Sequence, residues 1–173
     1  MNLTRRTFIA GGVLGVAALA ATRFLPRTSA PGRDTSLRAL DVDGEAIVRA
    51  IVPAMLAGAL PEDRGARASA IDETVKTVDN AILGLPLHAQ KELGQLFALL
   101  ASAPGRVALT HHSAPWSEVS SQDAQAFLER LRTSRWSLLR VAYDALHQLV
   151  LASWYGNPRA WAAIGYDGPP SLA

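Results

Sequence analysis

Cysteine is absent from the sequence, and with it go disulfides, thiolate metal sites, covalently attached haem of the Cys-x-x-Cys-His kind and a cysteine nucleophile. In an oxidising compartment such a chain stands on its hydrophobic core alone. A Gly-x-Gly-x-x-Gly loop after a strand is also missing, so neither flavin nor nicotinamide binding is expected of this chain, and no cofactor is assigned to it. The Gly-x-Ser-x-Gly elbow of serine hydrolases is missing too. No segment sustains the period-two alternation of half-buried strands. Aromatic residues are scarce, at 6%. Positive charge is less abundant than the total suggests. Residues 1–30 hold four Arg and no acid, so the formal charge of +2 becomes −2 for the remainder, with 13 basic and 15 acidic residues. The pI of 9.4 is therefore partly a property of the N-terminal segment. The body keeps no basic stripe with interleaved aromatics, and nucleic acid is excluded as a partner.

What is present begins at Thr4-Arg5-Arg6-Thr7-Phe8, directly before an apolar, Gly- and Ala-rich run over residues 10–21. Arg5 and Arg6 offer two permanently charged planar guanidinium groups to an acidic receptor, and Phe8 adds apolar anchorage. The run is too short for a bilayer span, which takes roughly 20 apolar residues. The pattern reads as a twin-arginine export leader over residues 1–30. Its expected partner is the Tat translocase, which carries folded proteins, and its destination is the periplasm. Thr28-Ser29-Ala30 resembles a small-residue cleavage site with Pro31 after it. Both a cleaved leader and an uncleaved one acting as a membrane tether remain open. Residues 31–42, rich in Pro, Gly, Ser and Arg at their start, read as a flexible linker.

Residues 43–173 read as one helical domain: an all-α, single irregular bundle of about five to six helices. With 49% hydrophobic residues a sizeable core is feasible. Ile47, Val48, Ile51, Val52, Met55 and Leu56 recur at spacings of three and four, the pattern of one buried helical face. Pro53 interrupts that stripe and predicts a kink or break. Ile71, Val75, Val78, Ile82 and Leu83 form a second stripe, with Asp72, Glu73, Lys76 and Asp79 expected on the wet side. A third helix over 87–101 points Leu93, Leu96, Phe97 and Leu100 inward. Pro104-Gly105 reads as a connection with a short turn at 107–109. Ser120, with Asp123 three positions on, predicts a capped helix over 121–131. The last helix, 134–155, is apolar around most of its circumference. It is expected to be the central post of the bundle or to be covered by a partner chain.

After that helix Gly156 stops the chain and Asn157-Pro158 restarts it. Tyr155-Gly156-Asn157-Pro158, Trp161, Ile164-Gly165-Tyr166 and Gly168-Pro169 together resemble the closing motif of the gluconate 2-dehydrogenase subunit 3 family. The early helix carrying Ile51, Val52 and Pro53 and the twin-arginine leader agree with it. The resemblance implies an α-helical, cofactor-free small subunit of a complex. Its expected partners are an FAD-dependent large subunit of the glucose-methanol-choline (GMC) type and, in many such complexes, a cytochrome c subunit. FAD would then sit in the partner. Where members carry an acidic Pro- and Gly-rich loop this chain has apolar residues 54–60, which leaves the substrate class open. Trp154, Tyr155, Trp161 and Tyr166 crowd into the C-terminal corner. They serve either as a local core or as the partner interface.

Catalytic candidates are few. His111-His112 with Ser113 lies in a loop without a carboxylate at ligand spacing, which suits an exposed polar turn better than a metal site. Asp144 and His147 stand one helical turn apart and read as a hydrogen-bonded core couple. Three functions stay open. The first is a non-catalytic accessory subunit that stabilises a periplasmic flavoprotein and supplies its export signal. The second is a stand-alone periplasmic enzyme using His147 and Asp144. The third is a membrane-tethered adaptor.

Overall fold

The computed structural model describes residues 37–110, 114–161 and 164–168. Among them are six α-helices and no strand: Val42–Met55 (α1), Arg64–Leu83 (α2), Leu87–Ala101 (α3), Ala103–Thr110 (α4), Ser121–Arg132 (α5) and Ser137–Tyr155 (α6). Short 3-10 turns occupy Trp116–Glu118 and Pro158–Ala160. The all-α bundle read from the sequence is the architecture found.

Local chemistry sets the helix boundaries. Asp41 caps α1 by accepting the Gly44 N–H at 2.8 Å, and Asp63 caps α2 by accepting the Ala66 N–H at 2.8 Å. Each satisfies one of the four N–H groups that a helix start leaves open. Ser120 caps α5 through the Asp123 N–H at 3.1 Å, as its spacing to Asp123 predicts. Between α2 and α3 the Gln90 amide donates to the carbonyls of Leu83 and Leu85, at 3.2 and 2.8 Å, closing the end of one helix from the first turn of the next.

Helix α1 is the hub. It packs against α2, α3, α5, α6 and the first 3-10 turn. Ile47, Val48, Ile51, Val52 and Leu56 are buried on it. They meet Val75, Val78 and Ile82 of α2, Phe97 and Leu100 of α3, Phe127, Leu128 and Leu131 of α5, and Leu146 and Val150 of α6 in one cluster. Each such side chain stabilises the fold by roughly 1.5–3 kcal/mol when fully buried. Trp116 closes one end: its indole N–H donates to the Leu100 carbonyl at 2.8 Å, and its ring meets Phe127 edge-on with centroids 5.2 Å apart. Pro53 leaves the Arg49 carbonyl without its helical donor. The helix nonetheless runs through Pro53 and ends at Met55, so the break expected there falls two residues later.

Asp79 departs from its expected place on the wet side of α2, being only 3% exposed. Its Oδ1 accepts the N–H groups of Ala39 and Leu40 at 2.8 Å, and its Oδ2 that of Arg38 at 3.0 Å. Three backbone donors converge on one carboxylate, and charge-assisted bonds are the strong kind. The described end of the linker segment, residues 37–40, is thus anchored to the body, with Leu40 buried in the core. Nearby, Arg49 reaches Asp72 of α2 and bonds Glu45 one turn back at 3.0 Å. Residues 38–40 precede α1 and meet Asp79 late in α2, whereas Arg49 meets the earlier Asp72. The two helices therefore run antiparallel.

Two further expectations are corrected. Residues 103–110 form the helix α4 instead of a connection with a short turn. Ser102 accepts the Gly105 N–H at 3.1 Å as its cap, and Pro104 sits in the first turn, where its missing donor costs nothing. Helix α6 begins at Ser137 and not at 134. The Ser134 hydroxyl accepts the Trp136 N–H at 3.1 Å, a local bond that competes with helix. Nor is α6 the central post: α1 holds that place, and α6 lies at the periphery against α2, α5 and one side of α1.

Asp79→Ala should cost about 3 kcal/mol, because the buried Leu40 amide and the part-buried amides of Arg38 and Ala39 lose a charged acceptor together. Urea unfolding measures the loss, and hydrogen exchange should show the amides of residues 38–40 losing protection. Gly105→Ala should cost about 1–3 kcal/mol by overpacking, since its Cβ would stand 1.9 Å from the Leu99 carbonyl oxygen. A thermal midpoint equal to that of the parent would contradict that contact.

Candidate functional site

The four aromatics of the C-terminal corner divide into two that are held and two that are shown. Trp154, on the last turn of α6, is buried in the core. Trp161 is half-buried: its indole N–H donates to the Tyr155 carbonyl at 2.8 Å, and its ring meets Tyr166 edge-on at 5.3 Å. The chain then folds back, with the Tyr166 N–H donating to the Trp161 carbonyl at 3.0 Å. Gly168 passes over the indole with φ +103°, where a Cβ would stand 2.9 Å from the ring. Only glycine satisfies both demands. Asn157 caps the intervening turn through the Arg159 N–H at 3.0 Å, and the Arg159 guanidinium bonds Glu73 of α2 at 3.0 Å.

What these anchors present to solvent is Tyr155 at 39% exposure, Tyr166 at 46% and Ile164 at 55%. The four residues read as a partner interface therefore have separate duties. Trp154 and Trp161 build the local core, and Tyr155 and Tyr166 form the accessible surface with Ile164. The sequence did not single out Ile164 for contact. Its place four residues from buried Ala160 gives no sign of exposure.

His147 and Asp144 do not form the couple their spacing predicts. Asp144 is exposed and no hydrogen bond joins it to His147. His147 instead stacks on Tyr143, with centroids 5.3 Å apart and planes at 25°. Both line a cavity of about 300 Å³ between α1, α5 and α6, with Met55, Leu128 and Glu129. Glu129 is engaged by the Arg132 guanidinium at 2.7 and 2.8 Å, and these bonds hold its carboxyl below the usual carboxylate value. The cavity thus presents an imidazole with no carboxylate orienting it, whereas general-base catalysis in a triad requires that third group. Among the described residues no three His, Asp or Glu side chains converge as a metal site. His111, His112 and Ser113 lie outside the described residues, as do Arg5, Arg6 and Phe8.

Two features escaped the sequence reading. One is the charged clip of Arg49, Glu45 and Asp72. Burial draws the Arg49 guanidinium down, and the bonds to Asp72 and Glu45 outweigh it, so its pKa lies above the ordinary value. The i,i+4 spacing of Glu45 and Arg49 was the available signal. The other is the outward face of α6, where Trp136 is 64%, Leu138 75% and Val141 60% exposed. An apolar helix announces its hydrophobicity, yet nothing in its own sequence tells which side its neighbours cover.

Tyr155→Ser should leave stability within about 0.5 kcal/mol, as surface changes do, whereas Tyr166→Ser should cost about 0.5–1.5 kcal/mol by losing its edge-on pair with Trp161. Trp161→Ala should cost about 1 kcal/mol or more, through the lost ring pair and packing. Limited proteolysis should then cut near residues 161–168 sooner than in the parent. Equal cleavage rates would refute the anchoring role of Trp161. In comparisons with protein-family models, curated proteins and solved structures, nothing matches this chain.

Proposed function

We propose that the chain is a non-catalytic small subunit of a periplasmic FAD-dependent sugar or alcohol dehydrogenase complex, stabilising the flavoprotein and supplying its twin-arginine export signal. The observation that carries this reading is the division of labour in the C-terminal corner. Trp154, Trp161, Gly168 and the Arg159–Glu73 ion pair hold a turn in place. Tyr155, Ile164 and Tyr166 project from it into solvent. Aromatic anchors fixed before contact lose little freedom on binding, and such residues dominate the energetics of protein interfaces. The same corner carries the residues that resemble the closing motif of the gluconate 2-dehydrogenase subunit 3 family, so motif and surface coincide. Arg5, Arg6 and Phe8 support the export half of the reading. The expected partner is a GMC-type large subunit that holds the FAD, with a cytochrome c subunit as the electron acceptor of such complexes. Localisation follows as the periplasm, at the inner membrane.

Two measurements test the two halves separately. With the chain tagged in its own host, Arg5→Lys with Arg6→Lys should leave the associated flavoprotein in the cytoplasm. A flavoprotein that reaches the periplasm unchanged in that strain removes the export role. Tyr155→Ser with Tyr166→Ser should weaken co-purification of FAD absorbance by roughly thirtyfold, the loss expected for a hot spot of about 2 kcal/mol. Full retention of the flavin would place the partner on another surface.

A further inference from the structure

A second surface, at the opposite end of α6, has a different chemistry. Trp136, Leu138 and Val141 are 64, 75 and 60% exposed, so these large apolar side chains protrude and do not line a concavity. Two cations stand among them. The Arg135 guanidinium lies over the Trp136 ring, 5.5 Å from its centroid. Arg140 turns back along the helix, and its Nη1 donates to the Ser134 carbonyl at 2.6 Å, which brings its charge to the same turn. Residues 130–140 contain four Arg and no acid. Of the others, Arg130 donates inward to the Leu109 carbonyl and Arg132 is paired with Glu129. Asp144, one turn beyond Val141, is where the basic corner ends. Helix α6 also starts without a side-chain cap, so its partial positive charge faces the same way.

We infer that this corner docks on the anionic surface of a phospholipid bilayer. The combination of a Trp, two aliphatic side chains and flanking arginines suits the boundary between headgroups and acyl chains. Acyl chains close around a protruding side chain of any shape, whereas a protein partner would need a cavity matched to three protrusions. Arg135 and Arg140 meet lipid phosphate while Trp136 lies at headgroup depth and Leu138 and Val141 enter the apolar layer. No helix among the described residues is long and apolar enough to cross a membrane, so the contact is with the surface. This inference does not rest on the proposed dehydrogenase partner or on the leader.

The cysteine-free sequence makes the test direct. Leu138→Cys in the full chain carries a single polarity-sensitive nitrobenzoxadiazole label, and Gln95→Cys, on the exposed face of α3, carries the control. Vesicles of phosphatidylglycerol and phosphatidylethanolamine should shift the emission at 138 to the blue and leave that at 95 unchanged. Phosphatidylcholine vesicles should give a much weaker response. Arg135→Gln with Arg140→Gln should weaken partitioning roughly 25-fold, about fivefold for each arginine at an anionic surface. Three results overturn the inference. One is an unshifted label at 138 on protein that floats with the vesicles, which would place the contact at the leader or elsewhere. Another is an equal shift at 95. The third is a label already blue-shifted without lipid and reddened on dilution, which would assign the corner to a second copy of the chain.

Discussion

Enclosure of α1 by its neighbours is the constraint on which the rest of the structure depends. A helix that touches α2, α3, α5, α6 and a 3-10 turn must be apolar on nearly every side, and it must receive its charged residues' partners from outside. Both conditions are met. The stripe from Ile47 to Leu56 supplies the apolar surface, and Arg49 with the buried Glu45 finds Asp72 on α2. Arg49 and Asp72 both keep much of their contact with water, which screens their pair and leaves it a small contribution to stability. The clip joins α1 to α2 midway along both helices. Asp79 extends the same logic to the chain entering α1. Without its carboxylate, the buried Leu40 amide would have neither water nor a partner, and the amides of Arg38 and Ala39 would lose theirs.

Once α1 fills the centre, α6 has only one side on which to be buried. Ala142, Leu146, Val150, Ser153 and Trp154 take that side. The apolar residues left over emerge at its two ends, Trp136, Leu138 and Val141 at the start and Tyr155 at the finish. These exposed apolar residues are what the two proposed contacts would cover. The ends differ in what surrounds that surface. At the start, arginines and an uncapped helix end gather positive charge. At the finish, a turn held by Trp161, Gly168 and the paired Arg159 presents Tyr155 and Tyr166.

How much of this was legible in the sequence follows from the range of each interaction. Helical stripes such as Ile71, Val75, Val78 and Ile82 are local, and their period alone located α2 and its buried face. The Ser120 cap is equally local, its whole signal lying within four residues. Asp79 was misplaced because its partners are 39 to 41 positions away and are backbone groups, which carry no side-chain signature. Pro104-Gly105 misled for a different reason. Both residues are common in connections, but here Pro104 occupies a first helical turn and Gly105 allows α4 to approach the last turn of α3. The aromatic corner was legible as a cluster. Its partition into buried Trp154, clasped Trp161 and exposed Tyr155 and Tyr166 required the turn after Gly156 to be seen.

The two proposed contacts are geometrically compatible. Helix α6 has 19 residues, and at about 1.5 Å per residue its ends are roughly 27 Å apart. That separation is close to the width of a small domain, so a protein bound at Tyr155 and Tyr166 need not reach the corner at Trp136, and a bilayer at Trp136 need not displace that protein. The helix is fixed along its length by Leu146 and Val150 in the core, which makes the angle between the two surfaces a property of the fold rather than of a linker. A partner held at one end would then stand at a set height and orientation above a membrane met at the other. For the proposed redox partner, such a fixed orientation would shorten the search for productive contact with an acceptor in the membrane.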